Sequence, residues 1–371
     1  MNRRKFLRIS GVTIVVASVG TYLLSDKTNF LRSDFEDNSI ERFSFQPGEK
    51  EILYLASLAP SGHNTQPWFV HYIEPYHWII GNDKSKWLPA VDPSQRETVL
   101  SIGAFIQNLE FAANNYGYIC TFNLLAATNQ DEDLMEVRLH KSIGVPKYDT
   151  DKIRMRRTVR SGYLADALTK EDSAYLQSGE TDFSHFIPHG SKEFKWLNEQ
   201  TIEANRIQAY RNAAQKELSE WIRFSSREAK RHCDGLTTAG MELDGIAGWY
   251  LRNFYQQKNV MDNKFREHGI DKVKKQVSKS AGWLIITSKD NSVAKLVETG
   301  KRLQRIFLKV RDRNIAIHPM SQILEEEETK TQVNATIGLN EEIQFILRLG
   351  YLKNYPDPVT LRRPVNLFVI T

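Results

Sequence analysis

The chain has 371 residues, 41% of them hydrophobic and 11% aromatic, with a net charge of +5. That length supports a substantial core in one large or two modest domains, and the composition excludes a disordered chain. The charge is too small and too dispersed for a nucleic-acid binder, since no basic block with interleaved aromatics runs through the body, but it suits one anionic ligand.

The first residues, Asn2-Arg3-Arg4-Lys5-Phe6-Leu7-Arg8, precede an apolar stretch from Gly11 to Leu24. Paired arginines before Phe-Leu resemble a twin-arginine export signal, and the apolar stretch is short for a membrane span. The segment 1–30 is therefore read as an export signal, either cleaved or kept as an anchor on the outer side of the inner membrane. Beyond about Gln46, helix and strand patterns alternate. Ile52, Leu55, Ala56 and Ala59 share a helical face over Glu51 to Ala59 that Pro60 ends, and strands are expected at Phe69 to Ile73 and Trp78 to Ile80. Ser94 with Glu97 reads as a capping box opening a helix that buries Ile102, Phe105, Ile106, Leu109 and Ala113 and closes at Gly117. Strands follow at Ile119 to Leu125 and Leu134 to Leu139. In the second half, Trp283 to Thr287 and Asn314 to Ile317 read as strands. Ser292 to Val310 reads as an amphipathic helix and Asn340 to Leu349 as another. The stretch from about 190 to 280 is mostly helical and charged, with no simple template. Cys120 and Cys233 lack metal spacing and read as buried free thiols, with one bridge as the alternative. The nine histidines form no ligand pattern, so no metal site is expected.

Four strings carry chemistry. The first is Ala59-Pro60-Ser61-Gly62-His63-Asn64-Thr65-Gln66-Pro67-Trp68, a helix end running into a strand. Ser61 and Asn64 can donate and accept, and Gly62 permits close approach to a flat ring. The second is Asp92-Pro93-Ser94-Gln95-Arg96-Glu97, whose last two residues read equally as surface positions on a capped helix. The third is Arg156-Arg157-Thr158-Val159-Arg160, in which guanidinium forks and a hydroxyl suit a phosphate dianion. The fourth joins Arg348-Leu349-Gly350-Tyr351 to Leu361-Arg362-Arg363-Pro364. No glycine-rich dinucleotide fingerprint and no P-loop occurs, so a phosphate must be held by side chains.

Together these strings resemble the nitroreductases, and the second resembles their Acg-type branch. The resemblance implies an α+β, nitroreductase-like fold built as a fused pseudo-dimer, with one half at 46–145 and the other at 146–371, the latter interrupted at about 190–280. It implies FMN as cofactor, with Pro60, Ser61, Asn64 and Gln66 on the flavin and Arg156, Arg157, Thr158 and Arg160 toward its phosphate. Either Arg362 or Arg363 joins them, and Ser321 touches the ring, whereas His318 is read as a structural turn residue. It also implies hydride or electron transfer from NAD(P)H or another donor to an unknown acceptor. The alternative is a storage or sequestration protein that covers its FMN and turns over little. No catalytic side chain and no metal is expected. The loop and the arginine string each occur once, and before Glu51 only Arg42 stands where a second arginine string would be. One FMN per chain, a monomer, and membrane contact only through the amino-terminal segment follow.

Overall fold

The computed structural model describes residues 25–26, 28–35 and 44–371. Arg3, Arg4, the run from Gly11 to Leu24, and Arg42 lie outside the described residues. The helices are α1 Glu49–Ser57, α2 Arg96–Asn115, α3 Thr150–Met155, α4 Lys170–Gln177, α5 Lys192–Tyr210, α6 Asn212–Trp221, α7 Ser226–His232, α8 Gly245–Phe254, α9 Gln257–Val260, α10 Asn263–Val277, α11 Val293–Lys309 and α12 Glu327–Ile337. The strands are β1 Trp68–Glu74, β2 His77–Asn82, β3 Tyr118–Leu124, β4 Asp133–Lys141, β5 Ser184–Pro188, β6 Ile222–Arg223, β7 Leu236–Thr237, β8 Gly282–Ser288, β9 Ile315–Pro319, β10 Glu342–Tyr351 and β11 Val369–Ile370.

The fold is α+β, as expected. One sheet runs β11-β1-β2-β4-β3 and the other β5-β8-β10-β9, with a two-residue parallel pair β6-β7 apart from both. Each large sheet has a long helix against its inner face, and these two helices, α2 and α11, pack on each other. Their sequences explain why. Ile102, Phe105, Ile106 and Leu109 on α2 are all buried, as are Leu296, Leu303, Ile306 and Phe307 on α11, the spacing that an apolar stripe on a helix requires.

The crossing is set by two glycines. A methyl group at Gly103 would lie 2.3 Å from Val297 O, and one at Gly300 would lie 2.0 Å from Leu100 O. Each glycine thus sits over the carbonyl three residues before the other, as a two-fold axis demands. The polar pairs repeat the relation. Gln304 Nε2 donates to Asn108 Oδ1 at 2.7 Å, and Arg305 Nη1 donates to Gln107 Oε1 at 2.8 Å. In each helix the glutamine four residues after the glycine bonds the residue five after the glycine of the other. Two halves are joined here in one chain as subunits would be in a dimer.

The carboxyl end ties the halves a second time. After β10 it leaves the second sheet and ends as β11, parallel to β1, with Val369 beside Val70. Arg362 and Arg363 lie on this crossing.

Two expectations fail. The stretch read as a helix from Asn340 to Leu349 is the central strand β10, hydrogen-bonded to β8 on one side and β9 on the other. Ile343, Ile346, Leu347 and Leu349 are buried there, and a strand covered on both faces loses the alternation that would distinguish it from a buried helix. The capping box at Ser94 is also absent. Gln95 precedes α2 in the left-handed region (φ 57°), and Asp92 Oδ2 takes the Thr98 N–H at 3.0 Å instead. Cys120 and Cys233 are not joined to each other by a disulfide, and the second is buried.

Gly300→Ala should lower stability by about 1–3 kcal/mol, the usual cost of an overpacked contact. Gly269→Ala, where a methyl group would meet nothing within 4 Å, should be neutral or stabilising, since alanine is the better helix former. Urea denaturation of the two variants reads the difference, and equal stability would mean that the crossing can relax.

Candidate functional site

The loop after α1 is unusual in its backbone. His63, Asn64 and Gln66 have φ of 48°, 56° and 55°, a region that costs residues with a side chain energy unless neighbours impose it. They are imposed from three directions. Asn64 Nδ2 donates to Gly235 O at 3.2 Å and Leu361 O at 3.3 Å, and its Oδ1 accepts from Arg362 Nη1 at 2.7 Å. Gln66 Nε2 donates to Cys233 O at 2.9 Å, and its Oε1 accepts from Arg363 N at 2.9 Å. Ser61 Oγ closes the turn by accepting from Gln66 N at 3.0 Å. Asn64 and Gln66, expected on a ligand, are buried and spend these bonds on shaping the loop. Pro60, Ser61, Gly62 and His63 face a cavity.

The arginine string divides. Arg157 pairs with Glu242 (3.3 Å) and turns away from the cavity. Thr158 and Arg160 line it, and Arg160 is anchored by Nη1 to Gly240 O at 2.8 Å while its N–H donates to Glu242 Oε1 at 2.9 Å. Arg156 is buried behind. Its Nε and Nη2 donate to Leu58 O at 3.2 and 3.0 Å, and its Nη1 has no hydrogen-bond partner. Arg362 reaches the same carbonyl, with Nη2 at 3.3 Å from Leu58 O and Nε on Ser57 O at 2.6 Å. Two buried guanidiniums therefore converge on the carboxyl end of α1 with no carboxylate paired to either among the described residues. Burial is the first cause that pushes both below the ordinary guanidinium range, followed by the charge of Arg32 at Arg156 and by the charge of Arg156 at Arg362. The helix end offers partial negative charge, but less than two cations require. Of the two carboxyl-terminal arginines, the structure puts Arg362 beside Arg156. Arg363 is bonded to Gln66 O and Trp68 O and pairs with Asp83.

The cavity measures about 290 Å³, at the lower edge of ordinary ligand pockets, which span about 300–1,000 Å³. Val91, Leu303, Phe345 and Leu236 supply apolar wall, and Ser321 also lines it, while its Oγ accepts from Ile346 N at 3.1 Å. His318 is not a turn residue. It lies in β9 and faces the cavity, because the strand runs two residues past the expected end at Ile317. Burial and then Arg160 hold His318 well below the usual imidazole range and push His63 down to about 4, so both rings are neutral.

Three further polar groups line the cavity, Gln322, Glu97 and Glu325, and the sequence marked only Glu97 among them, as a surface position. Gln322 Oε1 is buried without a partner, an acceptor that a bound donor would satisfy. Glu97 and Glu325 both line the wall, and their carboxyls share a hydrogen bond. Arg96 Nη2 donates to Glu97 Oε1 at 2.9 Å and Gln208 Nε2 to Glu325 Oε2 at 2.6 Å. Glu97 is thus a cavity residue and not a surface one. No local pattern links it to a partner in the second half, but Glu325 follows Gln322 by three residues and shares its face of a short turn.

Burial is the main cause that raises Glu97, to about 7, with Arg96 opposing and Asp92 adding to the rise. Burial and then Glu97 hold Glu325 well above the usual carboxylate range. Two carboxyls in one pocket favour a shared proton. A carboxyl raised by folding contributes stability that is complete below its ordinary range and lost as pH rises through its folded value. The protein should therefore lose stability as pH rises through about 7, and Glu97→Gln should flatten that decline. Denaturation midpoints on both sides of that pH read the slope, and an unchanged decline in the variant would assign it elsewhere.

No family model matches the chain. It is 21% identical over 339 residues to PigM of a Serratia species, named a probable NAD(P)H nitroreductase, covering 86% of this chain and 92% of that one. It is 25% identical over 327 residues to Acg of Mycobacterium tuberculosis, also named as an NAD(P)H nitroreductase, covering 85% and 93%. Solved structures with partial likeness include a nitroreductase-like family protein from Bacillus cereus, with TM-score 0.33 and 11% identity over 60% of this chain and 95% of that one. Another is the FMN-dependent nitroreductase NfnB from Mycobacterium smegmatis in complex with NADPH, with TM-score 0.35 and 13% identity over 55% and 91%. The two sequence relatives, each matched nearly end to end, support the nitroreductase superfamily for this chain.

Proposed function

We propose that this chain is an exported flavoprotein that holds one FMN between its halves and passes electrons through it. The observation that carries the reading is the pair Arg156 and Arg362, buried together with no carboxylate paired to either among the described residues and with Arg156 Nη1 unpartnered. That is the donor set of an anion site, and a phosphate accepts forked guanidinium bonds well. The cavity that begins at Thr158 and Arg160 suits a flat ring, with hydroxyls at Ser61 and Thr158 and the orphan acceptor of Gln322 for its polar edge. A dinucleotide is disfavoured, since nothing in the sequence offers a second phosphate fingerprint.

Bound there, FMN would supply two-electron chemistry, and the names of the relatives favour NAD(P)H as donor. The protein's own contribution is positional. Arg156 and Arg362 would bind the phosphate. Arg160 brings positive charge to the cavity wall while Gly240 and Glu242 hold it still. Leu303, Phe345, Val91 and Leu236 exclude water. Glu97 and Glu325 keep a proton on one carboxyl oxygen near neutral pH, available to a group seated against that wall.

A second reading has its own support. Leu236, from the stretch that interrupts the second half, lines the cavity, and its neighbours Cys233 and Gly235 are bonded to the loop. A cavity closed in this way stores or shields FMN more readily than it admits a nicotinamide. Anaerobic NADPH should bleach the yellow protein on the first reading. On the second, only dithionite should.

Both readings share one expected outcome. Denaturation should release FMN and no FAD, at one per chain, and Arg156→Ala should weaken FMN but not riboflavin. A hydrogen bond to a charged group is worth about 1.5–3 kcal/mol, or roughly ten- to a hundredfold in affinity. Flavin chromatography and fluorescence titration with both ligands measure this, and equal weakening of the two would remove the phosphate assignment. Export is proposed from Arg3 and Arg4. Replacing both with Lys should keep the protein in the cytoplasm with its flavin bound, and undiminished export in cell fractions would refute the route.

A further inference from the structure

One helix of the stretch that interrupts the second half is inside out. In α8 the charged residue Arg252 is buried, whereas Ile246, Tyr250 and Phe254, at i, i+4 and i+8, are 86%, 51% and 48% exposed. A helix on a protein surface ordinarily presents the opposite arrangement. The exposed side is mainly aromatic. Tyr250 stands 5.2 Å from Phe254 and Trp249 5.4 Å from Phe254, ring centre to ring centre. The buried side grips the amino-terminal chain. Arg252 Nη1 donates to Asn29 Oδ1 at 2.8 Å, Asp26 N donates to Asn253 Oδ1 at 2.8 Å, and Trp249 Nε1 donates to Ser25 Oγ at 3.1 Å.

The last contact fixes what lies beside this face. Ser25 directly follows the apolar run from Gly11 to Leu24, which follows the basic residues Arg3, Arg4, Lys5 and Arg8. Whatever surface takes up that run has the face of α8 beside it, at high effective concentration.

We propose that α8 lies on an anionic lipid bilayer, with Ile246, Tyr250 and Phe254 at the boundary between headgroups and acyl chains. Among the described residues no helix is long and apolar enough to cross a membrane, so this contact would rest on the surface. One hydrophobic attachment alone gives weak, reversible binding, and a second makes it stable. Tyr, Trp and Phe suit the boundary because their rings are apolar while Tyr and Trp keep a polar atom for water. The basic residues before the run account for the preference for anionic lipid. The inference does not depend on which flavin, if any, the cavity holds.

The full chain carrying Ile246→Cys, labelled with an environment-sensitive fluorophore, tests it, with the unsubstituted chain treated with the same reagent as blank. Vesicles of phosphatidylcholine with phosphatidylglycerol should shift the emission to the blue, and phosphatidylcholine alone should do so less. Tyr250→Glu with Phe254→Glu should lower the vesicle-bound fraction roughly tenfold or more. If the protein floats with vesicles while the label stays in water, the amino-terminal run alone carries attachment and the proposal fails. It also fails if the label shifts with protein concentration in the absence of lipid, because a second copy then covers the face.

Discussion

Everything in this molecule is referred to the place where α2 and α11 touch. Gly103 and Gly300 let the two backbones meet at a separation that no side chain would allow, each against the carbonyl three residues before the other. The two sheets lie outward from this contact, and the cavity is built across it, with Glu97 and Ser101 from one helix and Leu303 from the other. A change in the crossing would move both walls of the cavity at once. Protein interiors are packed too densely to absorb such a shift gradually.

The stretch that interrupts the second half acts on the site from the other side. Cys233 O and Gly235 O hold the loop through Gln66 and Asn64, while Glu242 and Gly240 hold the arginine string. Gln276 Nε2 and Arg348 Nη2 both donate to Arg160 O, at 3.2 and 2.7 Å. The strained backbone at His63, Asn64 and Gln66 persists because its partners come from distant parts of the chain. A cavity assembled in this way is preorganised, and its side chains have little freedom left to lose when a ligand enters.

Much of this was legible in the sequence where periodicity is strong. The stripe from Ile102 to Ala113 and that from Val293 to Phe307 became the central helices, and the loop and arginine strings came to border one cavity. The misreadings have physical causes. In β10, burial on both faces erased the alternation of a strand. At Ser94, a plausible cap was outcompeted by Asp92, which only the folded turn brings to the helix end. Asn64, Gln66, Arg157 and Arg363 look like ligand residues because they are polar and clustered, and in the fold their bonds go to the protein's own backbone and to Arg362, Glu242 and Asp83. The carboxyl pair could not be read at all, since Glu97 and Glu325 come from opposite halves and meet only through the crossing.

The near-symmetry of that crossing bears on how the chain can change. In a dimer of identical subunits, every substitution occurs twice, so a residue that improves one site and spoils its twin is paired with itself. Here Gln107 faces an arginine and Gln304 an asparagine at positions the two-fold relation makes equivalent. The two sides thus differ at equivalent positions, which covalent linkage permits. Covalent linkage halves the dosage of every mutation, and one half can keep the loop while the other keeps the arginines. The duplicate of each is then free to be lost, or to be replaced by a segment such as 233–242 that serves the copy that remains.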